Sequence, residues 1–282
     1  MRFRPQTTLA APVEFQGVGV HTGQPARLRV LPAPAGKGRV FRVQGREIPA
    51  LAERVVRVER CTALAVGEAA VSTVEHVLAA AAGLGLDNLL LDLEGPEVPI
   101  LDGSALPFVE GFHRAGIAEL AVPASEPLEL EAPLWVSLGE ALVLALPWPH
   151  LVLEYHIHYP HPLVGFQSMV FDAAADDFAA QLAPARTYGF WEEVRHLLER
   201  GLARGGDFSN ALVIRTDGYC SEPRFANEPA RHKCLDLLGD LALLGRPLRA
   251  RVVAVKAGHR LHVELVHRLL EVQASSVERL AR

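Results

Sequence analysis

The chain has 282 residues, 50% of them apolar and 22% charged, with a formal net charge of -5. This composition excludes a disordered protein, and the acidic balance leaves no basic footprint for nucleic acid or an anionic membrane surface, although local cations could still hold an anionic small substrate. Cys61, Cys220 and Cys234 form no CxxC pair, no apolar run reaches the ~18 residues of a membrane span, and Pro12 and Glu14 interrupt any signal-peptide stretch, so a cytoplasmic protein is expected.

In chain order, residues 17–23 (GVGVHTG) read as a turn, and 26–30 alternate apolar and charged residues with strand period. Residues 55–58 and 63–66 are further strand candidates. Ser72 is expected to open a helix that runs to about Ala82 and is closed by Gly83 and Gly85, and residues 88–93 (NLLLDL) read as a buried strand. A helix is expected over 106–115. The segment 117–133 is Pro-, Ala- and Glu-rich without helical caps, which suggests a domain boundary near residue 122. Beyond it, a helix follows Pro229 and ends at the Gly245-Arg246-Pro247 turn, residues 249–255 form a strand, and a Lys-Ala-Gly-His loop leads into a last helix. Helix, glycine turn, strand, loop and helix occur in the same order in both halves. The expected fold is α+β, with two similarly built domains at 1–122 and 123–282 and a site at their interface.

Glu75-His76 and the segment from His232 to Asp236 together offer three metal-ligand side chains and a spare carboxylate. Those are the parts of a hydrolytic zinc site, in which three ligands leave a position for water and a carboxylate takes the water's proton. On a helix His232 and Asp236 can converge on one ion while Asp240 extends their stripe; a solvated polar face on an amphipathic helix accounts for the same pattern. Leu235, Leu238 and Ala242 form the opposite, packing stripe, and Cys234 points away as a small buried hydrophobe. Ser72-x-x-Glu75 is also a capping-box pattern, which gives Glu75 a purely structural alternative. His259 follows a glycine in its loop, where it could serve as general acid or base oriented by Asp240, or be a surface histidine. His156, His158 and His161 make a rival HxH cluster, but the α/β repeat of a metal-dependent barrel is missing around it. Residues 201–206 (GLARGG) lack the lysine and strand context of a phosphate loop.

From about Thr7 to Leu270 the chain resembles the bacterial UDP-3-O-acyl-N-acetylglucosamine deacetylases, zinc amidases of lipid A synthesis. The motifs GVGVHTG, VERCTAL, STVEHVLAAAAGLGLDN, VPILDGSALPF, PARTYGF, RHKCLDLLGDL and KAGH follow the family's order. The resemblance implies two α+β domains with the site between them. It implies His76, His232 and Asp236 as zinc ligands, Glu75 as general base, Thr187 as an oxyanion partner, and His259 supported by Asp240 as the proton donor to the leaving amine. Lys233 and Tyr188 are implied to contact substrate, Tyr188 standing where the family commonly has phenylalanine. Residues from about 192 to 219 are implied to form a βαβ insert lining an acyl passage. Pro229 and Ala230 replace the usual Phe-Val, which leaves acyl-length preference open. Zinc is the expected ion, although Fe(II) can occupy similar ligand sets. The expected partner is the acylated UDP-sugar alone, bound by a monomer. Zinc amidase action on another N-acetylated sugar, and a non-catalytic nucleotide-sugar or acyl-chain binding protein, are the alternative readings.

Overall fold

The computed structural model describes residues 4–199 and 204–280. Two sheets built to one plan carry the rest of the molecule. The first has strand order Val13–Val18, Pro25–Pro32, Leu89–Glu94, Arg39–Val43, Arg46–Pro49; the second has Leu134–Leu138, Ala141–Pro147, Leu248–Val255, Val152–His158, Phe166–Asp172. In each, the middle strand is the last of its five in the chain, antiparallel to one neighbour and parallel to the other. The fold is therefore α+β, two similarly built halves. Alternation of buried and less buried residues explains the pairing: Leu28 and Val30 on one strand and Leu89 and Leu91 on the next are fully buried on the same side.

The helices are α1 (Glu75–Gly83), α2 (Leu106–Ala115), α3 (Phe178–Gln181), α4 (Trp191–Glu199), α5 (Glu228–Leu241) and α6 (His259–Leu280). Each middle strand is preceded by one long helix and followed by another, α1 and α2 in the first half, α5 and α6 in the second. Three short strands precede the leading helix in both halves: Val55–Arg57, Ala63–Val66 and Ala69–Ser72 in the first, Tyr188–Phe190, Leu212–Arg215 and Gly218–Tyr219 in the second. No helix among the described residues is long and apolar enough to cross a membrane.

The leading helices pack directly on each other. Their sequences explain how closely. Helix α1 (EHVLAAAAG) carries four successive alanines, and Gly239 of α5 faces it where a Cβ would lie 2.1 Å from the Glu75 carbonyl oxygen. A methyl group cannot occupy that space without separating the helices. We expect Gly239→Ala to lower stability by about 1–3 kcal/mol through overpacking, against the roughly 1 kcal/mol that alanine would add in an open helix. Thermal unfolding reads the sign directly.

Several expectations are corrected. Ser72 ends a strand, Thr73 takes φ +59°, and α1 begins at Glu75 behind Val74, which provides no side-chain cap. Segment 117–133 carries two unexpected strands: Ile117–Pro123 pairs antiparallel with Pro5–Leu9, and Leu128–Glu129 pairs parallel with Leu248–Val255. The polar stripe of α5 is not solvated, because α1 and α6 both pack on this helix, and His232, Asp236 and Asp240 are all buried. In the second half's insert the strands Tyr188–Phe190 and Leu212–Arg215 are parallel across α4, so this βαβ unit starts at Tyr188 rather than near 192. Residues 201–203 of the GLARGG segment lie outside the described residues.

Candidate metal centre

His76 from the first turn of α1 meets His232 and Asp236, one turn apart on α5. Nε2 of His232 is 3.4 Å and Nε2 of His76 3.7 Å from Oδ1 of Asp236, and the two rings stand nearly perpendicular, 5.0 Å apart. All three side chains are buried. Asp236 Oδ1 is a buried oxygen with no hydrogen-bond partner, a costly arrangement unless a cation completes it. His232 Nδ1 faces the Ala185 carbonyl at 3.1 Å, the contact of an N–H donor, which leaves Nε2 with a free lone pair. Burial pushes His232 down to about 4, so its ring is neutral, as a metal ligand must be. Burial works to raise Asp236, but His232, Lys233 and His76 outweigh it and hold the carboxyl well below its usual range. The three donor atoms are close enough together to hold one metal ion.

Glu75 sits beside this triad. Its Oε2 accepts from the Thr62 backbone N–H at 3.1 Å, while Oε1 stands 3.8 Å from His259 Nε2. The carboxylate is therefore anchored to the residue that precedes the strand Ala63–Val66 and serves no cap. Burial raises its pKa despite the nearby histidines, making it a better proton acceptor than an exposed glutamate. His259, the first residue of α6, places Nδ1 2.7 Å from Asp240 Oδ2. Burial disfavours its charge, but Asp240 reverses that and raises the ring to about 9; Asp240 itself, despite burial, is held at about 2 by His259 and His262. A protonated histidine and a basic carboxylate thus face each other beside the triad. Thr62 links them, since its hydroxyl donates to Asp240 Oδ1 at 2.6 Å.

These groups open into a cavity of about 750 Å³ that Thr187, Tyr188 and Lys233 also line. The Lys233 ammonium is paired with Asp236 Oδ2, so it steadies a triad carboxylate as well as facing the cavity. Tyr188 meets the His232 ring edge-on, and its hydroxyl is 2.8 Å from that of Tyr159. The partner of the added hydroxyl is thus a second tyrosine. Thr187 is placed through its backbone, donating to Gly103 O at 2.7 Å. Gly103 takes φ +84°, and a Cβ there would meet Asn210 O at 1.9 Å, so only glycine allows this approach. The rival histidines do not converge: His156 pairs with Glu154 and stacks on Phe166, and His161 lies against Phe190. Cys234 is buried and its thiol is pushed up by burial, which makes it a poor ligand.

Three supporting residues escaped the sequence reading. Glu97 is fully buried and accepts from the backbone N–H groups of His21 and Thr22 and the hydroxyls of Thr22 and Thr73, pinning the GVGVHTG turn to the start of α1. Glu228 binds Arg186 through Nε at 2.9 Å and also accepts from the backbone N–H groups of Arg186 and Arg224, seating Thr187 and Tyr188 against the start of α5. Gly239 sets the distance between α1 and α5. The available signal was an acidic residue amid apolar neighbours (PEVPI for Glu97), which shows burial but no partner.

Comparison with known proteins agrees along nearly the whole length. The model of the family described as UDP-3-O-acyl N-acetylglycosamine deacetylase matches residues 6–271. A UDP-3-O-acyl-N-acetylglucosamine deacetylase of Thermosynechococcus vestitus is 44% identical over 271 residues, covering 94% of this chain and 94% of the relative. Proteins of the same description from a Nostoc species and from Chlamydia caviae are 41% and 38% identical, covering 94% and 95% of this chain and 98% of each relative.

Proposed function

Because the chain belongs to the UDP-3-O-acyl N-acetylglycosamine deacetylase family, we propose that it removes acetate from UDP-3-O-acyl-N-acetylglucosamine in cytoplasmic lipid A biosynthesis, using one zinc ion. The observation that carries this reading is the buried, unpartnered Asp236 Oδ1 facing two histidine nitrogens. His76, His232 and Asp236 would hold the ion. When bound, a zinc ion there supplies Lewis acidity toward the acetamide carbonyl and lowers the pKa of water. Glu75 takes a proton from the attacking water as that water's oxygen adds to the carbonyl carbon. The Thr187 hydroxyl donates to the oxyanion that forms. His259 delivers its Nε2 proton to the amide nitrogen as the C–N bond breaks, giving acetate and the free amine. Asp240 keeps His259 cationic at neutral pH for that step.

The cavity suits an amphiphilic substrate. Phe190, Val194 and Phe208 offer an apolar wall for an acyl chain, while Arg60, Lys256 and Arg260 can face a diphosphate. We divide the chain near residue 122, so that α1 and α5 bring the parts of the site from separate domains. Acetate release from the acylated UDP-sugar, compared with non-acylated UDP-N-acetylglucosamine, tests the function. Turnover of the first well above the second is expected; equal turnover would point to a different N-acetylated substrate, and binding without acetate release would leave a binding protein.

A further inference from the structure

Tyr155 and His262 have no part in the steps above, yet both are fully buried against the residues that hold His259. Buried rings with polar atoms are stable only when those atoms are partnered, and the partners here form a closed circuit. Tyr155 lies on Val152–His158, the parallel neighbour of Leu248–Val255. Its hydroxyl donates to Ala257 O at 2.7 Å, two residues before His259 in the chain, and its oxygen stands 3.0 Å from His262 Nε2. At the other side of the ring, His262 Nδ1 is 2.8 Å from Asp240 Oδ2, the oxygen that His259 Nδ1 meets at 2.7 Å. The circuit therefore runs from Ala257 through Tyr155, His262 and Asp240 to His259, and back along the backbone. With Thr62 on Oδ1, neither oxygen of Asp240 can rotate without breaking a contact.

The loop inside this circuit needs holding. Lys256, at its start, takes φ +49°, a conformation that disfavours a side chain. Asp240, His259 and His262 also lie within reach of one another as a second ligand group. Both imidazole Nδ1 atoms, however, face a single carboxylate oxygen at hydrogen-bond length, which is the arrangement of N–H donors and leaves no lone pair there for an ion.

We propose that Tyr155 and His262 are positioning residues: through Ala257 O and Asp240 Oδ2 they fix the backbone and ring of His259, keeping its Nε2 aimed at the departing nitrogen. The proposal rests on the proton-donor reading of His259 given above. Small displacements of an acid from its target cost rate and leave ground-state binding intact.

Steady-state kinetics of Tyr155→Phe, His262→Leu, His262→Asn and His259→Ala, with metal content and thermal unfolding on the same preparations, test it. In Tyr155→Phe and His262→Leu, kcat is expected to fall about tenfold with KM and metal content unchanged. His262→Asn retains an N–H near the Nδ1 position and should recover most of the loss. Wild-type kcat in both Tyr155→Phe and His262→Leu, or a loss confined to KM, melting temperature or metal content, overturns the positioning role. If His262→Leu fails to fold, Tyr155→Phe decides by the same criteria, since it removes one hydroxyl and keeps the ring. His259→Ala separates the two levels: loss of kcat there with no effect at Tyr155 or His262 refutes positioning alone, whereas wild-type kcat in His259→Ala removes the proton donor and the proposal with it.

Discussion

Glu75→Gln is expected to lower kcat by about a thousandfold while leaving one metal ion per chain and the fold intact. The amide has the shape of the carboxylate, and its oxygen can still accept from the Thr62 N–H, so the anchor that holds the side chain survives. What disappears is the basic oxygen. Because burial already disfavours the charge of Glu75, removing that charge should not destabilise the protein and could raise its melting temperature slightly. A structural glutamate would show the opposite pattern, with a lower melting temperature and modestly changed turnover. Acetate release and thermal unfolding on one preparation distinguish the two.

His232→Ala is expected to abolish both metal retention and activity. His232 supplies one of the three converging atoms that could hold an ion, and its ring is preset by the Ala185 carbonyl. Loss of a mere orienting partner in a metal site costs about 10–100-fold in affinity or activity, and loss of the ligand itself should cost more. Asp236 would remain buried, hydrogen-bonded to Lys233 and with His76 and His259 at longer range. Elemental analysis after dialysis should show metal in the wild type and little in the variant. Equal metal in both would remove His232 from the ligand set.

Much of this site was legible because metal chemistry restricts residue types. His76, His232 and Asp236 stood out as ligand-capable groups at helical spacing, and the structure brings them together. Strand alternation likewise placed Pro25–Pro32, and residues 249–255 read as a strand where Leu248–Val255 forms, each to within a few residues. The failures came from partners distant in sequence. Ser72-x-x-Glu75 matches a capping box, yet the oxygen of Glu75 is claimed by the backbone of Thr62, in the loop before the strand Ala63–Val66. The stripe on α5 resembled a solvated face because periodicity distinguishes polar from apolar sides without saying what covers them; α1 and α6 cover this one. Ile117–Pro123 gave no strand signal, since its Ala, Glu and Pro content disfavours strands and its partner Pro5–Leu9 lies at the far end of the same half. Tyr155 and His262 carried no motif at all, and only their contacts reveal them.

The central claim is that hydrolysis depends on an ion held between α1 and α5. Its most direct test is to strip the wild-type protein of metal and follow acetate release from the acylated UDP-sugar while zinc is returned in substoichiometric steps. Activity should rise linearly and level off at about one ion per chain, with His232→Ala inactive throughout. Full acetate release by the metal-free protein would contradict the account.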